Sequence, residues 1–583
     1  MNTAAYRHAL ASVFLAALLA SGCAQPPSTA QVSPAPIATA AATTTAPPAE
    51  PVPTSASTPV GQPTAAVQLY NNLGDYSMAI TIASPEAQRY FDQGLILSYG
   101  FNHEEAIRAF DEAARLDPTC AMCFWGKAYA LGPNINAPMA PEAVAPAYAA
   151  LQRAQELAAG ASPVEQAMIE ALSARYVEDA DADRAALDLA FAEAMGTVAE
   201  RFPADDDVAT VYAEALMNLT PWNYWTKEGE PTEYTEQIIA VLEGVLARSS
   251  DHPGANHYYI HAVEASQDPG RAVPSAERLA TLVPGAGHLV HMPAHVYWRV
   301  GRYQDAVEAN HHAIHSDESY LPDRSNPGFY GMAYYPHNIQ FLFAAAAMSG
   351  QSELAIEAAR KLVAEVPEAI YAEAPGMEDF LPMPLMALAR FGRWEAVLAE
   401  PRPAEQYQYA TGVWHYTRGL AYVRQSKLEE AAAELTALEA LAEKQELKDL
   451  VLYSFSPAAT NLTLAAHTLR GELAGARGDY DTQVAELEAA VAIQDGFAYI
   501  EPPVWYYPVR QSLGAALLAA GRAEEAEAVY RADLKEYPNN GWSLFGLSQS
   551  LEAQGETAEA DEARVAFEKA WEDADVTLQS SQF

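Results

Sequence analysis

The amino-acid sequence predicts an all-α fold, a right-handed superhelical solenoid of helix-turn-helix repeats with irregular loop insertions. Three observations lead there. Small and aromatic residues recur at a spacing of 34 residues, the period of a stacked helix pair. Ala, Leu and Glu dominate from about residue 85 onward, and strand signals are scarce, which favours helix. Gly and Pro punctuate this region at intervals that fit turns between short helices.

Residues 1–22, "MNTAAYRHALASVFLAALLASG", form a short basic start, an apolar stretch and a run of small residues. This is the pattern of an export signal, and the apolar stretch is too short to remain as a membrane span. The ending "LASGC" resembles a bacterial lipobox, which implies cleavage before Cys23 and its lipidation. Ala24 rather than Asp follows, resembling lipoproteins sorted to the outer membrane. The expected location is therefore the cell envelope, facing the periplasm, with membrane contact through the lipid only.

Residues 23–66 are almost entirely Pro, Ala, Thr, Ser, Val and Gln, with one charge, Glu50. Such a segment buries too little apolar surface to offset its ordering entropy. It reads as a tether that spans on the order of 100 Å when extended.

Residues 67–583 read as one repeat domain. In "AQRYFDQGLILSYGFNHEEAIRAFDEAARLDPTC" (87–120), Gly94, Ala106, Phe110, Ala113 and Pro118 stand where helix pairs pack closely and end. Gly521 and Ala526 are matched 34 residues later by Gly555 and Ala560. These positions resemble the tetratricopeptide repeat. The clearest units are 87–120, 253–286, 287–320, 507–540 and 541–574, with weaker ones around Gly350, Gly419 and Gly471. Each pair buries its apolar stripe only against its neighbours, so the units must stack. Insertions at 223–237, 319–338, 371–385 and 495–510 are rich in Pro, Gly and aromatics and are expected to be ordered loops covering a groove.

Two adjacent units carry "HPGANHYYIHAVEAS" and "GHLVHMPAHVYWRVG". The resemblance implies that first helices line a concave groove. In that register His257, His261 and Glu264 face it from one unit, and His288, His291, His295 and Trp298 from the next. Steps of three, four and seven residues return to one helical face irrespective of family. His337, from the following unit, and Glu214, from a weaker unit upstream, join the same groove. Pro293 lacks an amide proton, so the second helix is expected to restart there, leaving His288 and His291 in the turn before it.

Neutral imidazoles and a carboxylate converging on one space suit Cu, Fe or Zn. The metal candidates are thus His257, His261, Glu264, His288, His291, His295 and His337, with Glu214 and Trp298 as groove-lining residues. Lone histidines in repeat helices are usually packing or surface groups, the reading adopted for His103, His415 and His467. His311, His312 and His315 are expected on the outer side.

Cys120 and Cys123 are spaced for a short disulfide in an exported chain; free thiols and a metal pair remain alternatives. Phe124 stands where c-type haem attachment needs histidine, and no phosphate loop, nucleophile turn or zincin helix occurs, so neither haem nor nucleotide is expected. The net charge of −42 without a basic patch excludes nucleic acid as a partner. Three functions follow: an envelope-anchored scaffold, binding a protein or peptide, whose groove holds a transition metal; a metalloenzyme, oxidoreductase or hydrolase, built on that site; or a metal-free interaction scaffold.

Overall fold

The computed structural model describes residues 67–320 and 328–583. The expected export signal, lipidated Cys23 and tether lie outside the described residues. The structure is 69% helical and without strands among the described residues. No described helix is long and apolar enough to cross a membrane.

Eight helices that enclose the interior are labelled in chain order: α1 (Pro85–Tyr99), α2 (His103–Leu116), α3 (Asp206–Met217), α4 (Pro253–Val263), α5 (Gly287–His291), α6 (Pro293–Arg299), α7 (Tyr303–Tyr320) and α8 (Gly328–Met348). Local chemistry sets their starts. Ser84 caps α1 through its hydroxyl ahead of Pro85, and the His252 imidazole accepts from the Ala255 amide to cap α4 ahead of Pro253. Proline at the first helical position costs nothing, because that amide has no partner within the helix.

The pair α1–α2 shows why the small residues recur. Phe110 is fully buried between Gly94 and Gly126, where an added Cβ would stand 2.7 and 2.5 Å from its ring. Burying such a ring contributes about 2–3 kcal/mol, and only glycine leaves it room. The turns repeat as well: Gly301, Gly350, Gly521 and Gly555 adopt left-handed backbone angles. The first repeat places Phe101 there, at φ 57°.

The superhelix winds tightly enough to close on itself. Trp542 donates its indole N–H to the Ala347 carbonyl at 3.0 Å, and the Asp575 carboxylate caps the helix Ser352–Glu365 through the Ser352 and Glu353 amides. Near the other end, Gly254 of α4 approaches the Tyr99 ring, where a Cβ would stand 2.7 Å away. As a result the expected open groove is a filled interior: every residue of α4, α5 and α6 except Arg299 is buried.

Two expectations for the insertions divide. Residues 328–338, read from sequence as loop, form the first half of the 21-residue helix α8, with Pro336 inside it. Tyr, Met, Ala and Phe carry that helix through the proline because neighbouring helices bury it on nearly all sides. Residues 495–510 do include an irregular segment, and its Glu501 lies in the interior. Cys120 and Cys123 are joined by a disulfide at the start of the helix Ala121–Ala130.

Candidate metal centre

Helix α4 is buried all round yet carries Asn256, His257 and His261. Buried helices are normally apolar throughout, and a buried polar atom without a partner costs about 1–3 kcal/mol. Each imidazole here therefore has to be accounted for. His257, His261, Glu264, His288, His291 and His295 are all between 0 and 3% exposed, and His337 is partly buried.

The break at Pro293 shapes the second cluster. α5 ends at His291 and α6 begins at Pro293, as the proline requires. His288 and His291 occupy a separate helical turn, but Met292 keeps right-handed helical angles between the two helices, so His291 and His295, four residues apart, still meet on one face. Their Nε2 atoms are 2.8 Å apart.

The six histidines form two sets of three. His257, His261 and His288 compose one, and His291, His295 and His337 the other; within each set the potential ligand atoms all lie within 4.8 Å of one another. The sets adjoin, with ring centroids 5.6 Å apart for His261 and His295 and 5.9 Å for His288 and His291. Glu264 stands between them and forms with His261 and His295 a third, overlapping group of potential ligands: Oε1 accepts from His261 Nδ1 at 2.9 Å and Oε2 from His295 Nδ1 at 2.6 Å.

Hydrogen bonding decides which nitrogen of each ring carries its proton. His257 Nδ1 lies 2.5 Å from the Tyr99 carbonyl, which can only accept. His291 Nδ1 lies 2.6 Å from Asn310 Oδ1, an orientation set because Asn310 Nδ2 donates to the Ala306 carbonyl. With the two bonds to Glu264, four imidazoles hold their protons on Nδ1 and present bare Nε2 atoms. His257 Nε2, His261 Nε2 and both nitrogens of His288 are buried without a hydrogen-bond partner. The facing Nε2 atoms of His291 and His295 are two lone pairs in contact unless a proton or a cation lies between them.

Burial disfavours protonation of five of the imidazoles. Burial, reinforced by neighbouring imidazoles, holds His257, His288 and His291 well below the ordinary histidine range, and His337 down to about 3. Burial also lowers His261, against the pull of Glu264. Burial pushes the Glu264 carboxyl up, but His295 and His261 outweigh it and keep the group ionised. Burial and the Glu264 charge raise Glu501 well above the carboxylate range. Its Oε2 is without a hydrogen-bond partner and 3.5 Å from His295 Nδ1.

Aromatic rings seal the histidines. Phe101 lies 4.6 Å from His257 and 5.5 Å from His288 by ring centroids, and Phe341 lies 5.1 Å from both His291 and His295. Trp298 faces elsewhere: it packs on Phe341 and lines a small apolar cavity with Trp505, Tyr506 and Tyr537. Glu214 is buried on α3, hydrogen-bonded to Asn218, and belongs to neither histidine set. His311, His312 and His315 are exposed on α7, while His415 and His467 pair with Glu434 and Glu486.

Sequence reasoning missed Asn310, Glu501, Phe101 and Phe341. Asn310 was discoverable: if His311 and His312 point outward on α7, the residue before them turns inward.

Residues 87–120 match the family model described as tetratricopeptide repeat. That match covers one helix pair, α1–α2. No curated protein matches it in sequence. Among solved structures, a human IFIT1 dimer with PPP-AAAA is similar at 12% identity, over 82% of this chain and 88% of that one, with a TM-score of 0.30. The APC/C hetero-tetramer Cut9-Hcn1 is similar at 11% identity, over 83% and 76%, also at 0.30.

Proposed function

We propose that this tetratricopeptide-type repeat protein is an envelope-anchored binding scaffold whose interior holds transition-metal ions. One observation carries the reading: four imidazoles have their Nδ1 protons committed to outer acceptors, and their Nε2 atoms converge inside a sealed, aromatic-walled space. Metal-ligating histidines characteristically donate their other ring nitrogen to a carboxylate or carbonyl, which fixes the tautomer. A hydrogen-bonded structural network would instead use both nitrogens.

Imidazole-rich donor sets suit Cu, Fe, Ni and Zn rather than Mg or Ca. His257, His261, His288, His291, His295 and His337 would hold the ions, with the Tyr99 carbonyl, Asn310 and Glu264 orienting the rings. With the interior filled, the exposed surface of the helices remains for a protein or peptide partner in the envelope.

Elemental analysis of protein purified without chelator or a histidine tag tests this. Cu, Fe or Zn bound by the parent, with the content reduced in His261→Ala, is the expected result. Because a ligand of the native state adds to its stability, chelation should also lower Tm, and by more in the parent than in the variant. A folded parent that contains no metal and gains none on incubation with Cu, Fe or Zn refutes the proposal.

A further inference from the structure

Building on the metal-binding reading, we infer that the interior is a two-ion centre: each set of three histidines takes one ion, and Glu264 serves both from outside the coordination sphere. It is a positioning residue rather than a ligand.

The count follows from geometry. Tetrahedral ions bind imidazole nitrogen at about 2.0–2.1 Å with four ligands, so two nitrogens on one ion stand about 3.3–3.4 Å apart. Six imidazoles exceed the ligand number of one such ion. They fall into two triplets, each with one nitrogen per ring within 4.8 Å of the others, so the most widely spaced nitrogens close by up to about 1.4 Å when an ion binds. Three protein ligands leave each ion a fourth position for water or an exogenous ligand.

The role of Glu264 follows from its hydrogen bonds. Both oxygens accept Nδ1 protons, one from His261 in the first set and one from His295 in the second. Used as a direct ligand, the carboxylate would compete with those protons and free both rings to turn. Used as an acceptor, it fixes one ring in each set, and its negative charge sits beside both ions where no water can screen them. The Arg299 guanidinium, 3.1 Å from the Glu264 carbonyl through Nε, anchors the residue in that place.

The second set also has a reason to be filled. The Nε2 atoms of His291 and His295, 2.8 Å apart, are near the about 2.9 Å of adjacent ligands on a square ion and open by about 0.5 Å on a tetrahedral one. The first set supplies four unpartnered buried nitrogens, an unmet polar demand in the same interior. One ion would satisfy only one of these two groups.

Cobalt(II) is the probe, because its visible ligand-field bands report coordination number. Metal-free full-length protein should bind two equivalents, with bands of four- or five-coordinate nitrogen ligation. His257→Ala and His337→Ala should each bind one, and the double variant none, with circular dichroism confirming the fold. Glu264→Gln should keep both equivalents and the same bands, but bind about 10–100-fold more weakly.

One equivalent in the parent overturns the two-ion inference and leaves metal binding intact. None in the parent overturns the metal reading itself. Since the parent count needs no variant, misfolding of a substituted chain does not blunt the test. Loss of both equivalents in a folded Glu264→Gln variant overturns the outer-sphere role.

Discussion

Replacing Asn310 by Leu separates a metal-orienting hydrogen bond from mere packing. Asn310 is fully buried, and its Oδ1 accepts from His291 Nδ1 at 2.6 Å. Leucine has nearly the same shape and no acceptor. In the metal-free protein the His291 Nδ1 proton is left unpaired in the interior, which costs about 1–3 kcal/mol. At the metal, losing an outer acceptor costs about 10–100-fold in affinity, or about 1.4–2.7 kcal/mol at 25 °C. Only the ion held by His291, His295 and His337 should weaken. The first magnitude is read by urea denaturation in chelator, the second by competition for Zn(II) against a chromophoric chelator. Asn310→Asp keeps the acceptor and should bind at least as tightly as the parent. Unchanged affinity and stability in Asn310→Leu would refute the tautomer argument on which the metal reading stands.

Further outcomes follow from single contacts. Gly126→Ala places a Cβ 2.5 Å from Phe110 Cε1, with Gly94 closing the other side; overpacking should cost about 1–3 kcal/mol, and adding Phe110→Leu should recover much of it, as thermal denaturation would show. Phe101→Gly relieves a left-handed φ of 57° worth about 1 kcal/mol but removes the ring that covers His257 and His288. Stability should fall by about 1–2 kcal/mol net, with faster metal release to a chelator; a gain in stability would contradict the packing role. Burial lowers the His103 imidazole from 6.5 to about 4. A depressed folded value means its contribution is complete above pH 6.5 and is lost as pH falls toward 4, at up to about 1.4 kcal/mol per pH unit. His103→Gln should flatten the acid side of the stability curve, and identical curves would exclude this histidine as a source of acid sensitivity.

Much of the site was legible because its spacing is local. His257, His261 and Glu264 follow the period of a single helix, and Pro293 announces by its missing amide proton where α6 must begin. Asn310 was readable in principle from the outward His311 and His312. Glu501 was not, because it comes from an insertion far along the chain that carries no periodic pattern. The helical start of α8 was misread for a related reason: Gly, Pro and aromatic residues signal a loop when a segment stands alone, and burial on nearly all sides overrode them.

By itself the sequence determined that the chain is helical, that α6 begins at Pro293 and that His257, His261 and Glu264 share one helical face, since these depend on contacts within a few turns of one helix. Only the tertiary structure decided that the groove is filled, that two sets of imidazoles meet across Glu264, and that Phe101, Phe341 and Glu501 close around them. The physical reason is cumulative. Each repeat rotates slightly against the last, and the superhelical radius is the sum of many such small packing angles. Contacts between distant repeats, such as Trp542 with Ala347 and Gly254 with Tyr99, set that sum and turn an open surface into an interior.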